Sequence, residues 1–166
     1  MFILSFLVNA ASGCGTRPRA PNGDDPPATP ATASAVVRST AVEASDAAIM
    51  AVSLVGTPYA AGGVSPESGF DCSGLVAYVF ARAAQARLPR NTFDLANAGA
   101  AVPPGELQAG DLVFYNTQRR PYSHVGIYLG QSRFVHAPST GGAVRIEDMD
   151  VRYWAQRFDG ARRLSF

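Results

Sequence analysis

Apolar residues recur along this chain with two different periods, and the period changes after the segment NTFDLANAG, residues 91–99. Before that point the spacing is helical. In VEASDAAIMAVSLVG, Val42, Ile49, Val52 and Leu54 recur among alanines, and Gly56 with Pro58 beyond it supplies a stop. Residues 57–70 hold three glycines, two prolines and two serines, which predicts a loop. A second helix starts at Cys72, with Leu75, Val76, Val79, Phe80 and Ala83 as its buried stripe. NTFDLANAG predicts a short third helix with Thr92 as a candidate cap.

After residue 99 the period falls to two. DLVFYN, HVGIYLG, RFVHA and AVRIED are short, β-branched or aromatic, and bounded by turn residues. The tail VRYWAQRFDGARRLSF predicts a short helix and a closing strand, with Trp154 in the core. Helices followed by a run of strands predict an α+β fold: N-terminal helices on a mainly antiparallel sheet of about five or six strands.

The chain of 166 residues is long enough for one domain with a hydrophobic core. All 14 basic residues are arginine, the net charge is +1, and no basic stripe stands out, so nothing marks a nucleic-acid surface. No apolar run is long enough for a membrane-spanning helix. Two cysteines, Cys14 and Cys72, exclude a disulfide-dense scaffold but leave a single bridge between them open.

The start, MFILSFLVNAASGCG, has the shape of an export segment: a short apolar run, then small residues. The stretch ASGC resembles the lipobox of bacterial lipoproteins, which implies a lipid anchor on Cys14 of the processed chain. A plain secretory signal or a frayed apolar N-terminus are the alternatives. Residues 15–40 are rich in Pro, Ala, Thr and Asp, and no aromatic residue occurs between Phe6 and Tyr59. Such a segment buries too little apolar surface to offset its ordering entropy and is expected to be a disordered tether. The expected organisation is therefore export segment 1–14, tether 15–40 and folded domain 41–166.

SGFDCSGLV concentrates the chemistry. Asp71 is a good N-cap, which places Cys72 in a first helical turn where a thiolate is favoured. Cys72 also lies on the packed stripe, so a buried structural cysteine remains an open reading. The only two histidines, His124 and His136, fall on successive predicted strands. A cysteine nucleophile needs a base, and the base needs an orienting partner. With a three-residue hairpin loop Gly130-Gln131-Ser132, Gly126 pairs with His136. The two histidines are then diagonal neighbours on one face, roughly 7 Å apart between backbones. Gly126 would leave room for the His136 imidazole. A two-residue loop would place them on opposite faces. Zinc bound by Cys72, His124 and His136 is a further reading, although the spacing matches no compact metal motif.

TPYAAGG, SGFDCSGLVAYVF, LPRNT, LQAGDLVFY, SHVGIYLG, RFVHAP and YWAQRFDGARRL occur in this order, and together they resemble the NlpC-type cysteine endopeptidases of bacterial cell walls. The resemblance spans about residues 45–166. It implies a papain-like α+β fold, no cofactor, and hydrolysis of amide bonds in peptidoglycan stem peptides or crosslinks through an acyl-enzyme. It further implies that Cys72 is the nucleophile, His124 the base and later the acid, and His136 the group that orients His124. Tyr59 would line the site and help hold the oxyanion. Asp71 and Ser73 would contact the substrate, and Arg90 is a further substrate-side candidate. The implied setting is a monomer in the periplasm or cell envelope, anchored to a membrane through Cys14, the outer membrane in a Gram-negative cell. The alternatives are a peptidoglycan amidase on the same fold and a non-catalytic wall-binding scaffold.

Overall fold

The structure, a computed structural model, describes residues 44–139 and 142–166. The export segment, the tether and Cys14 lie outside the described residues. Residues 44–53 form helix α1, and Gly56, at φ +95°, lets the chain turn away after it. The buried face of α1 differs from the expected one. Ala47, Ala48 and Ala51 are buried, whereas Ile49 is 70% exposed and Val52 42% exposed. Close approach explains the choice: a Cβ on Gly110 would collide with the Ala44 carbonyl oxygen, so only small side chains fit between the helix and the turn beneath it.

The predicted loop contains a minimal hairpin, β1 (Val64–Ser65) and β2 (Gly69–Phe70), closed by mutual hydrogen bonds of Ser65 and Ser68. Helix α2 (Cys72–Ala83) buries Leu75, Val76, Val79 and Phe80, the stripe expected from its spacing. Helix α3 (Thr92–Ala96) is capped by Asn91 rather than Thr92. The Asn91 side chain accepts from the Asp94 amide at 2.8 Å, and Thr92 is already inside the helix. Five strands follow or flank the last helix: β4 (Leu112–Tyr115), β5 (His124–Gly130), β6 (Arg133–His136), β7 (Arg145–Asp148) and β8 (Phe158–Arg163). Together with β3 (Ala100–Ala101) they form one six-stranded sheet in the order β3-β8-β4-β5-β6-β7, and every pairing is antiparallel. Helix α4 (Arg152–Ala155) precedes β8. The fold is α+β, as expected.

Strand alternation splits the core into two layers. Leu112, Phe114, Val125, Ile127 and Val135 face α1 and α2, while Val113, Tyr115, Tyr128 and Phe134 face Trp154 of α4. Just before β4 the buried Asp111 carboxylate is held by a two-pronged contact from Arg163 of the neighbouring β8, at 2.8 and 2.7 Å. A carboxylate this deep persists only when so paired.

The β5–β6 hairpin reaches the expected register by a different device. Gln131 and Ser132 form a two-residue turn with φ of +52° and +57°, closed by Gly130 against Arg133. That combination suits a hairpin of right-handed twist. A register shift between Tyr128 and Gly130 absorbs one residue, so Ile127 pairs with Val135 and Tyr128 with Phe134. The bulge restores the parity that a plain two-residue loop would have inverted. Gly126 is small for a reason other than the one expected: a Cβ there would meet the Phe134 ring at 2.6 Å, so the space belongs to Phe134 and not to His136.

Candidate active site

Cys72 opens α2, on the face of the sheet that carries the first core layer. His124 opens β5, with its ring on the opposite face against Trp154. Both line one cavity of about 440 Å³, at the end of the sheet where the chain enters β5. His136 lines it too, as do Tyr59, Ser139, Arg145, Glu147, Tyr153 and Trp154.

The N-terminus of α2 is fixed by a dense set of contacts. Asp71 Oδ1 accepts from the Gly74 amide at 2.6 Å, the cap expected from the sequence. Ser73 Oγ lies 2.9 Å from Asp71 Oδ1 and 2.8 Å from the Arg90 carbonyl, and its single proton serves one of them at a time. Arg90 reaches Asp71 Oδ2 at 3.4 Å, a half-exposed ion pair of small worth. Gly74 is needed because the Gly63 carbonyl oxygen occupies the place of a Cβ. Asp71, Ser73 and Arg90 are not among the cavity-lining residues. They hold one another and the first turn of α2, which makes them supports of Cys72.

Tyr59 reaches the cavity because residues 56–59 run alongside 142–144. The Tyr59 amide donates to the Gly142 carbonyl at 2.8 Å, and Val144 donates to the Thr57 carbonyl at 2.8 Å. Burial raises the Tyr59 phenol above its ordinary value, and the nearby Cys72 and Asp71 add to this, so it remains a hydrogen-bond donor.

His124 and His136 form one unit. Their Nε2 and Nδ1 atoms are 2.8 Å apart and the rings are perpendicular. That separation is a hydrogen bond and leaves no space for an ion between the two nitrogens. Among the described residues no cluster of three or more His, Cys, Asp or Glu side chains is placed to hold a metal. Burial pushes the His124 imidazole down to about 4, and Arg145 pushes in the same direction. His136 is lowered by burial, then by His124 and Arg145.

The thiol departs from the expectation. Burial pushes Cys72 up, the Asp71 carboxylate pushes it further, and the amides of Val125, Ser73 and Cys72 only partly oppose this. Burial and the Asp71 carboxylate therefore work against the thiolate that the helix N-terminus favours. Burial thus works against the charged form of both groups that line the cavity, the thiolate of Cys72 and the imidazolium of His124. A test follows from the sign of the Asp71 contribution. Asp71→Asn keeps the cap and removes the charge, so the Cys72 thiol should ionise at lower pH. Alkylation rates measured against pH should show the profile displaced to the acid side; an unmoved or alkaline-shifted profile would contradict it.

Sequence reasoning missed several wall residues. Arg145 and Glu147 sit two apart on β7 and pair at 2.7 Å. Ser123, buried just before His124, accepts from the Thr117 and Gln118 amides at 2.9 and 3.1 Å and so ties one wall of the cavity to the base of β5. An alternating strand pattern around AVRIED marked the Arg145 and Glu147 pair as sharing a face, but nothing local placed that face at Cys72.

Comparison with known proteins bears on the same region. The profile described as NlpC/P60 family matches residues 56–163. Murein DD-endopeptidase MepH of Escherichia coli K12 is 42% identical over 113 residues, covering 66% of this chain and 42% of that protein. Murein DD-endopeptidase MepS/Murein LD-carboxypeptidase of the same strain is 38% identical over 109 residues, covering 66% of this chain and 56% of that protein. The structure of the peptidoglycan hydrolase RipB from Mycobacterium tuberculosis superposes with a TM-score of 0.64 at 34% identity, over 83% of this chain and 73% of that one. The chain thus spans about half the length of these curated relatives.

Proposed function

The chain belongs to the NlpC/P60 family, and from that premise we propose that it is a cysteine peptidase of the cell envelope, one that hydrolyses amide bonds in peptidoglycan stem peptides or crosslinks. The observation that carries this is the 2.8 Å contact between His124 Nε2 and His136 Nδ1 in the cavity that Cys72 also lines. It leaves His124 Nδ1 as the nitrogen available to the thiol. The names of the relatives supply the substrate class.

In this reading His124 Nδ1 takes the Cys72 Sγ proton as the sulfur attacks the scissile carbonyl. The oxyanion is held by the Cys72 amide and the Tyr59 hydroxyl; one such donor contributes roughly 3 kcal/mol. The tetrahedral carbon collapses, the C–N bond breaks, and His124 returns its proton to the leaving amine. A thioester on Cys72 remains. Water, deprotonated by His124, attacks it and releases the carboxylic acid. His136 keeps the His124 ring oriented; being neutral, it helps more by position than by charge. Asp71, Ser73 and Arg90 act here by fixing the first turn of α2. Lipidation of Cys14, with the tether as a spacer from the membrane, belongs to the same proposal.

An amidase on the same fold differs in product, and a non-catalytic wall-binding protein differs in having none. Purified protein should be incubated with peptidoglycan sacculi, and the new amines identified by mass spectrometry. The proposal expects amines on D-amino-acid or diamino-acid positions within the stem peptides or crosslinks, lost after thiol alkylation and retained with a chelator. A new amine only on the first L-alanine would assign the amidase. Activity lost to the chelator and spared by alkylation would make it a metal hydrolase.

A further inference from the structure

The pair His124–His136 has one proton too few to be unambiguous. Between two neutral imidazoles 2.8 Å apart, one nitrogen donates and the other accepts. If His136 Nδ1 donates, His124 carries its proton on Nδ1 and cannot accept one from Cys72. If His124 Nε2 donates, Nδ1 is free to act as base, and His136 must then carry its proton on Nε2. Among the described residues that atom is buried without a hydrogen-bond partner, on a residue only 1% exposed. The tautomer required for the chemistry therefore points an N–H into a place where no oxygen or nitrogen of the described residues receives it.

The two rings beside His136 are aromatic. Trp154 lies 5.0 Å away at 80°, and Phe134 lies 5.1 Å away at 39°. The near-perpendicular contact is the one suited to an N–H pointing at a π face. The same indole stacks on His124, 5.9 Å away at 26°, the arrangement in which a π face supports a cation. We propose that Trp154 is a positioning residue: its π face receives the His136 Nε2–H, selecting the tautomer that leaves His124 Nδ1 open, and it supports the His124 ring when that ring becomes charged. Trp154 thereby has a role beyond filling the second core layer. The other ionisable groups facing this pair are Cys72 from α2, Tyr59 from the segment before β1, Arg145 and Glu147 from β7, and Tyr153 beside Trp154 on α4. Of these, Arg145 opposes a charge on His124, the Glu147 carboxylate is engaged by Arg145 at 2.7 Å, and the indole adds a neutral source of support.

The inference rests on the cysteine-peptidase reading for its purpose but not for its test. In ¹⁵N-labelled full-length protein without substrate, both histidines should be protonated on Nε2, and the His136 Nε2 proton should be shifted upfield by the indole ring current. Either ring protonated on Nδ1 instead would overturn the proposal before any variant is made. Trp154→Phe keeps a π face and should keep the tautomer. Trp154→Leu removes it and should give mixed tautomers, a His124 titration displaced to lower pH, and a fall in kcat of roughly tenfold. A purely structural tryptophan would lower the melting temperature in both variants while leaving the tautomer and the His124 titration unmoved, and that result would refute the proposal. So would Trp154→Phe behaving like Trp154→Leu. A sacculus assay that shows no hydrolysis by the parent protein would undermine the peptidase reading while leaving the tautomer measurement valid.

Discussion

Exchanging His124 for glutamine is expected to cut peptidoglycan hydrolysis by roughly a hundred- to ten-thousand-fold, the range associated with a positioned acid–base. The size follows from the resting state. Burial holds the Cys72 thiol above its ordinary value and the His124 imidazole down at about 4, which works against an ion pair before substrate arrives. In the proposed mechanism the proton moves to His124 Nδ1 during attack, and the variant lacks that acceptor. Glutamine retains bulk and a hydrogen-bonding end against His136, so the fold should survive; comparing melting curves checks this. The pH dependence carries a second signature. In the parent protein, activity should persist into mildly acidic buffer and fall as His124 becomes protonated near pH 4. In His124→Gln that acid limb should be gone, and the residual rate should climb with pH as the Cys72 thiol ionises unaided. A variant with parental rates, or one that keeps the acid limb, would remove His124 from the mechanism.

The parts of this molecule that were legible in its sequence are those whose causes are local. The cap at Asp71 and the stripe Leu75, Val76, Val79 and Phe80 specify α2 within a few residues. Alternation around HVGIYLG and RFVHA places His124 and His136 on one face. Their register came out as expected because a bulge before Gly130 compensates for a shorter turn than anticipated. Alternation alone does not reveal such a compensation, since the turn and the bulge each shift parity by one. On α1 hydrophobicity alone points to Ile49 and Val52 as the inward face, whereas backbone proximity decides which residues are buried. The helix lies so close to the turn at Gly110 that alanines face inward and Ile49 and Val52 face out. Gly126 shows the same limit: its need is set by the Phe134 ring on the next strand.

The site divides along the same line. Cys72, His124 and His136 could be picked out because the sequence holds few residues able to do this chemistry. Ser73 and Arg90, expected at the substrate, also brace the first turn of α2, through a contact between residues 17 positions apart. Arg145, Glu147 and Ser123 could not have been found, because what matters about them is which cavity they face. The thiol itself is the instructive case. Its position at a helix N-terminus favours the anion, but the helix dipole is a modest contribution. Burial and the capping carboxylate act against it, and the direction of the shift follows them.

Cys72 carries the central claim, and its removal has the largest expected effect. Cys72→Ala deletes the atom that forms the covalent intermediate, and no other described cysteine lines the cavity. Loss of a nucleophile from a site of this kind is on the order of a million-fold, below detection in a digestion of sacculi. The direct measurement is mass spectrometry of the muropeptides released by the parent and by Cys72→Ala, each at the same concentration and matched for folding by its melting curve. The account predicts cleaved stem peptides or opened crosslinks from the parent and an undigested pattern from Cys72→Ala. The same cleaved muropeptides appearing at equal rates from both proteins would contradict it.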